Sequence, residues 1–412
     1  MQLPQNVIDI IDACDSRAFI TGGAVRDYLM GREPKDFDIV VVGMNIEDMD
    51  RIFPDGKWVG KDFPVMLVNG VEVALARKER KIGSGHTSFT CETENVTLID
   101  DLVRRDLTIN AIAFNPLNNS VIDPFCGRAD IKDKLLKRVS RAFSEDPLRV
   151  FRVARFTSEL NGFMPSEDLE ETCYTMRDSL KELPAERVFG EMMKALRSKN
   201  PSRFFITLDR MEVLDVWFSE LSALKGRRQP TQWHPEGDAF THVMLVVERA
   251  RELDASDATM WAALVHDLGK AVTNSEPPKF HHFNHEALGV PLVQQMGERL
   301  RVPSDFLRIA KKVTKWHLNV HRFNIMRAVK RVDLISRLGE DVEAVTLASQ
   351  ADAQGRGPTL LNEPYPPRDD IRTAYELYWS VRGGPEMGNG PEVAEKLRQE
   401  RARVFRENGM GK

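Results

Sequence analysis

The sequence predicts a multi-domain α+β protein, a head built on a mixed sheet with helices followed by an almost wholly helical remainder. Three observations carry this. Apolar runs of β type crowd residues 1–140, among them Phe19–Thr21, Phe37–Gly43, Phe63–Val68, Val71–Ala76 and Ala111–Pro116. Such runs almost vanish over residues 141–225, which read as helix. From about Trp233 to Met326 the pattern is helical again, and eight of the nine histidines fall between His234 and His321. A chain of 412 residues has room for two to four domains, each with a buried core.

Composition narrows the class. At 42% hydrophobic and 29% charged the chain is ordinary for a globular protein. No apolar run is long enough for a bilayer, and Met1–Asp15 lacks a basic leader before an apolar core, so a cytoplasmic protein is expected. Cys14, Cys91, Cys126 and Cys173 are scattered and make no CxxC pair, which fits reduced thiols. The net charge of −4 does not announce a nucleic-acid binder. The arginine-rich stretch Leu135–Phe156 nevertheless offers a local basic face for a phosphate chain.

The head contains Gly22–Gly23–Ala24–Val25–Arg26–Asp27 after the strand ending at Thr21. Two glycines between strand and helix leave free N–H groups without side chains in the way, where phosphate can sit. Arg26 lies in the first turn and could add a charge-assisted bond, and Gly31 suits the helix stop. Asp36 and Asp38 then open the apolar run Ile39–Val42. On a strand, residues i and i+2 share a face, so these carboxylates repel unless a cation sits between them. Magnesium-dependent nucleotidyl transfer needs this arrangement: one ion activates the attacking hydroxyl, the other holds the triphosphate. Glu72 is a weaker candidate for a third carboxylate.

Ser144, ahead of Glu145–Asp146–Pro147, is the expected start of the next helix. Along it Asp146, Arg149, Arg152 and Arg155 follow one another at i, i+3 spacing. A carboxylate accepts hydrogen bonds and a guanidinium only donates. Cytosine and adenine each pair an amino donor with a ring-nitrogen acceptor, and uracil and guanine present the reverse. An Asp–Arg pair therefore fits C and A, and a buried site of this kind rejects the wrong pattern by about 10⁴. On an ordinary surface helix the same residues would only form ion pairs. Arg77–Thr90 is basic, then Gly/Ser-rich, and reads as a mobile loop.

Gly22–Asp27, Lys35–Asp38, Arg104–Ala111 and Glu145–Phe156, in that order, resemble the class II tRNA nucleotidyltransferases of the polymerase-β superfamily, the CCA-adding enzymes and their bacterial poly(A) polymerase relatives. The resemblance implies a polymerase-β-type head. It implies that Asp36 and Asp38 carry Mg²⁺, and that Gly23, Arg26 and Arg105 help hold the nucleotide. It gives Asp146 and Arg149 the base-reading role, with Arg152 and Arg155 also contacting the nucleotide, and it makes the Arg77–Thr90 region part of the switch from C to A.

In Ala263–Ala271, His266 and Asp267 stand side by side in an apolar helical stretch, and burying both costs free energy unless something binds them. With His242 upstream and Asp352 downstream, the order resembles the HD-domain metal phosphohydrolases. The implied ligands are His242, His266, Asp267 and Asp352, with His285 as a further candidate. Mixed imidazole and carboxylate ligation suits nickel, cobalt, manganese or magnesium, and the expected chemistry is water attacking a phosphoester. His234, His317 and His321 are read as structural or surface residues.

Trp233–Met244, Arg299–Pro303 and Ala351–Arg356 extend the resemblance to bacterial CCA-adding enzymes with a C-terminal HD domain. That implies CCA addition to tRNA from CTP and ATP. It also implies 2′,3′-cyclic phosphodiesterase, 2′-nucleotidase and phosphatase activity in the HD domain, in a monomer or homodimer. The expected divisions are a head (1–140), a helical neck (141–225), an HD domain (226–356) and a helical tail (357–412). The alternatives are a poly(A) polymerase or a partial CC- or A-adding enzyme and, in a different class, an HD phosphohydrolase whose head only binds RNA.

Overall fold

The computed structural model describes residues 1–60, 64–81, 89–274, 280–383 and 391–411. The Gly/Ser-rich part of the expected mobile loop, residues 82–88, lies outside them. The chain forms two compact units, one of Met1–Val153 with Leu160–Leu183, the other of Ala154–Glu159 with Pro184–Lys412.

The first unit is built on strands β1 (Ala18–Thr21), β2 (Asp38–Val41), β3 (Lys57–Val59), β4 (Val65–Val68), β5 (Val71–Leu75), β6 (Lys78–Lys81), β7 (Phe89–Glu92), β8 (Ala113–Asn115) and β9 (Ser120–Ile122). Seven of them form one mixed sheet in the order β3-β4-β5-β2-β1-β8-β9, and β6 pairs with β7. Only the β2–β5 pair is parallel within the seven-stranded sheet. Strand alternation divides the core. Ile20, Ile39, Val41 and Val73 pack on one face with Val7, Ile10 and Val25 from the helices Gln5–Ala13 and Gly23–Leu29. Val40 and Ala113 pack on the other with Ala76, Leu102 and Ala111.

The neck helix runs over Leu148–Glu159. Asp146 caps its start, Oδ1 accepting from Leu148 N at 3.0 Å, with Pro147 between the acid and the helix. This corrects the start expected at Ser144, which lies in a separate 3₁₀ turn, Arg141–Glu145, capped by Ser140. The turn fits because its residues leave the acid, not the serine, two positions ahead of a helical N–H. Gly31 does follow the helix Gly23–Leu29 with positive φ, as expected of its stop.

The second unit is helical throughout its described residues apart from turns. Phe204, Phe205 and Phe218 form an edge-to-face cluster with centroids 5.1–6.1 Å apart. The helix Asp257–Val265, which carries the fully buried Trp261, packs against the helices Ala239–Glu252, Ser304–His321 and Val342–Gln354. Within the Pro-rich stretch Asn362–Asp370, Pro366 opens the helix Pro366–Ser380. Of the described helices none is long and apolar enough to cross a membrane.

Candidate functional site

In the first unit, β1 delivers the chain to Gly22, whose φ of +71° and ψ of −135° suit only glycine. A Cβ there would stand 3.1 Å from Asp38 Oδ2 and 3.2 Å from Arg105 Nη1. The bend therefore runs directly beside an acid and a guanidinium. Sheet register explains the meeting: Thr21 pairs with Asp38 across β1–β2, and Asp38 pairs with Glu72 across β2–β5. Asp38 and Glu72 both point away from the apolar side chains on either side of them along their strands. Asp36 is exposed and sits two residues ahead of Asp38.

Asp38 keeps solvent contact, yet the protein around it desolvates the carboxyl enough to raise its pKa above the ordinary aspartate value; Arg105 opposes the rise, while the neighbouring Glu72 and Asp36 carboxylates add to it. Carboxylates that repel one another beside a glycine bend fit a divalent ion. Glu72, a weak candidate from sequence, thus stands within electrostatic reach of Asp38. Asp101, which the sequence reading passed over, is fully buried and fixes Arg105: Arg105 Nη2 lies 3.1 Å from Asp101 Oδ2 and donates to Thr21 Oγ1 at 2.9 Å. Burial pushes the Asp101 carboxyl up, but Arg104 and Arg105 outweigh it and hold it below the ordinary value.

Other expected nucleotide residues are engaged within the protein. Arg26 is nearly buried, donating to Asn110 Oδ1 and to Asp27 Oδ1, both at 2.9 Å. Arg149 donates to Ala142 O at 2.8 Å and Arg104 O at 2.7 Å. Arg152 donates to Asp106 Oδ2 at 2.7 Å. Arg155, expected from the resemblance to contact the nucleotide, has its Nε 2.6 Å from Glu191 and its Nη1 2.7 Å from Glu159. A guanidinium this buried requires carboxylate partners.

In the second unit, His242 comes from the second turn of its helix, which Asp238 caps. His266 ends the helix Asp257–Val265, and Asp267 leads into the 3₁₀ turn Leu268–Val272. Asp352 comes from the helix Val342–Gln354. The four meet, all buried: His242 Nε2 is 3.0 Å from Asp352 Oδ1 and 3.6 Å from Asp267 Oδ2, and His266 Nε2 is 3.2 Å from Asp267 Oδ2.

This set fits a metal. His266 Nδ1 donates to Ala263 O at 2.8 Å, which leaves Nε2 as a lone pair, and that atom is buried without a hydrogen-bond partner. Glu236 Oε1 lies 2.7 Å from His242 Nδ1 and so orients the other imidazole. Burial would raise Glu236, but His234 and His242 bring it down to about 2. Burial also works against ionised Asp267, yet His266 and Lys270 hold it well below the ordinary value. Lys270 Nζ stands 2.5 Å from Asp267 Oδ2.

Three histidines read from sequence as structural or surface residues belong to this neighbourhood. His234 Nδ1 is 2.9 Å from Glu236 Oε1. His317 is buried with its Nε2 3.3 Å from His285 Nε2. His321 bridges Asp352 Oδ2 and the Tyr365 hydroxyl at 2.7 Å each. The i, i+4 spacing of His317 and His321 is the signal that could have found them, because it sets both on one helix face.

The Poly A polymerase head domain family matches residues 18–137. A family described as a probable RNA and SrmB-binding site of polymerase A matches 162–225, and the HD domain family matches 239–350. A multifunctional CCA protein of Pseudoalteromonas atlantica is 40% identical over 95% of this chain and 99% of its own length. One from Methylococcus capsulatus is 41% identical over 95% and 94%. The crystal structure of the Bacillus stearothermophilus CCA-adding enzyme in complex with CTP shares the fold, with a TM-score of 0.69 at 23% identity over 99% of this chain and 94% of that one. The Thermotoga maritima CCA-adding enzyme complexed with tRNA does so with a TM-score of 0.62 at 18% identity over 100% and 93%. With a head, a helical continuation and an HD domain in this order, and relatives at this identity over nearly its whole length, the chain belongs to the family of multifunctional CCA proteins.

Proposed function

We propose that this protein adds CCA to the 3′ end of tRNA from CTP and ATP without a nucleic-acid template, and that its HD unit hydrolyses terminal phosphates. One observation carries the first part: the Gly22 bend runs beside Asp38 and Arg105, with Glu72 and Asp36 acting on the same carboxyl. Asp36 and Asp38 hold divalent ions there, Mg²⁺ being the expected metal, with Glu72 as a third carboxylate. When bound, such ions lower the pKa of the attacking 3′ hydroxyl and neutralise the triphosphate. Arg105, fixed by Asp101, presents positive charge to the phosphates at the side-chain-free bend. Asp146 and Arg149 offer an acceptor and a donor to the base edge, and their engagement with the helix start and with two carbonyls keeps both in place without a template.

In the HD unit, His242, His266, Asp267 and Asp352 hold a second kind of divalent ion, nickel among the candidates. Lys270, held by Asp267 Oδ2 and Gln229 Oε1, adds positive charge beside this set. The chemistry supports 2′,3′-cyclic phosphodiesterase, 2′-nucleotidase and phosphatase activity, a clean-up of damaged ends before rebuilding. The proposed boundaries remain a head over 1–140, a neck over 141–225, an HD domain over 226–356 and a tail over 357–412, in a cytoplasmic monomer or homodimer.

The test uses tRNA transcripts ending at the discriminator base, at C or at CC, each offered CTP and ATP singly and together. Full CCA addition predicts C on the first two and A on the third. Addition of A to every end would instead mark a poly(A) polymerase. Asp38→Ala is expected to abolish incorporation on all three ends while tRNA binding, read by gel shift, persists. Incorporation surviving in that variant overturns the metal assignment.

A further inference from the structure

Among the described residues the three most exposed large apolar side chains are Ile325, Phe283 and Trp233, and the last two flank the HD set. Trp233 is 61% exposed, yet the next residue, His234, turns inward, with its ring 4.8 Å from that of His242. Phe283 is 77% exposed and lies beside the His281 ring, centroids 4.8 Å apart. Two residues on, the buried His285 puts Nε2 3.2 Å from Asp267 Oδ1. Single exposed apolar residues are ordinary on a surface, whereas two aromatic rings held out beside one site mark a place where something binds.

Both segments are pinned. Trp233 N and His234 N donate to Pro230 O at 3.0 and 2.9 Å, and Arg356 Nη1 donates to Trp233 O at 3.1 Å. His282 Nε2 donates to Arg228 O at 2.9 Å, which ties the second segment to the first, and its Nδ1 accepts from Thr273 Oγ1 at 2.6 Å. The rings therefore project from backbone already fixed, and little ordering is left for a ligand to impose.

The first segment also carries a polar signal. Gln229 is buried, and its Oε1 accepts at 2.6 Å from Lys270 Nζ, the ammonium that stands on Asp267 Oδ2. A lysine only donates, so the amide oxygen faces it and Nε2 is the other end, buried with no acceptor. A buried donor without an acceptor is costly, and a substrate oxygen arriving beside Lys270 would satisfy it.

We propose that these residues form a nucleoside subsite of the HD unit, in which Gln229 Nε2 donates to an oxygen at the phosphate end of the substrate and the Trp233 and Phe283 rings stack on its base. Stacking on an aromatic ring accepts any base, so the subsite selects a nucleotide over a simple phosphoester without choosing among bases. The inference rests on the HD unit hydrolysing terminal phosphates.

The test compares adenosine 2′-monophosphate with glycerol 2-phosphate on the full chain with Ni²⁺. Both are monoesters of secondary alcohols, and only the first carries a base. Trp233→Ala and Phe283→Ala are each expected to raise KM for the nucleotide about tenfold at unchanged kcat, and to leave KM for glycerol 2-phosphate within about twofold of the parent. Trp233→Phe, which keeps a ring, is expected to recover most of the loss. Gln229→Glu keeps an oxygen toward Lys270 and removes the donor, so it is expected to raise KM about tenfold for both substrates. Nickel content after desalting and far-ultraviolet circular dichroism are expected to match the parent in every variant, so that KM reads substrate binding. Equal losses on both substrates in the ring variants, or no loss on either, overturn the subsite and leave the HD reading intact. Gln229→Glu at the parent KM overturns the contact at the phosphate end. A parent that hydrolyses neither substrate overturns the HD reading and the subsite with it.

Discussion

Asp106 illustrates how a motif residue can be tied into its surroundings by charge. It is buried, its Oδ1 accepts from Leu107 N at 2.8 Å and from Asn110 Nδ2 at 3.2 Å, and its Oδ2 takes the Arg152 guanidinium. Burial pushes its carboxyl up, but Arg152, Asn110 and Arg149 together hold it far below the ordinary carboxylate value. A depressed folded pKa contributes stability that is full above the unfolded value of about 3.9 and lost as pH falls through the folded value. Asp106→Asn is therefore expected to destabilise the protein by about 2 kcal/mol at neutral pH, less than for a fully buried pair because Arg152 keeps solvent contact. The gap between parent and variant should narrow as pH falls below the unfolded value, read from urea midpoints across a pH series. A gap independent of pH would mean that Asp106 acts through packing or shape rather than charge. Asp106 is legible only as part of Arg104–Ala111, because nothing in that string reveals that its partner lies 46 positions away on the neck helix.

At the scale of elements, legibility follows burial. β1, β2, β4, β5 and β8 could be read because their β-branched and aromatic residues face a core. β3 and β9 were missed because they are the edges of the sheet, where Lys57–Val59 and Ser120–Ile122 are short and partly exposed and carry no clean alternation. His242, His266, Asp267 and Asp352, expected from motif order to hold the HD-unit metal, are brought together by the structure. Glu236 and Tyr365 join them from a turn and from just ahead of the last-but-one described helix, which motif order does not reveal, and His317 and His321 carry only the signal of their i, i+4 spacing. Tyr365, just ahead of the helix Pro366–Ser380, gives the tail a part in this centre through His321. Glycine spacing is the least legible signal of all. Gly269 reads as an ordinary member of Ala263–Ala271, yet an added methyl would meet the backbone of His285 at both O and C. Gly269→Ala is expected to cost about 1–3 kcal/mol, seen as a lower melting temperature, and to reduce metal retention in the HD unit by pushing His285 off Asp267. An alanine variant with unchanged melting and metal content would show that the turn and helix yield freely, and that glycine there is not what sets the spacing.

The chain carries two candidate metal sites, and among the described residues no side chain belongs to both. Asp36, Asp38, Glu72, Arg105 and Arg149 all belong to the first compact unit, and His242, His266, Asp267, His285, His317 and Asp352 all belong to the second. Their polar partners keep to the same division: Asp101 and Asp106 hold arginines within the first unit, and Glu236, Lys270, His321 and Tyr365 surround the acids and imidazoles of the second. Substitutions at sites without common partners act nearly additively, within about twofold in rate. His266→Ala removes one imidazole from the HD set and touches no head residue. It is expected to reduce hydrolysis of a 2′,3′-cyclic nucleotide to background while incorporation of C and A into a tRNA transcript stays within about twofold of the parent. Both assays are run on one preparation, with Ni²⁺ in the first and Mg²⁺ in the second, so that a loss of folded protein would lower both. Hydrolysis at the parent rate would remove His266 from the metal set. A matched fall in both activities with the fold intact would mean that the two chemistries are coupled, and that the division into separate compact units does not carry over to function.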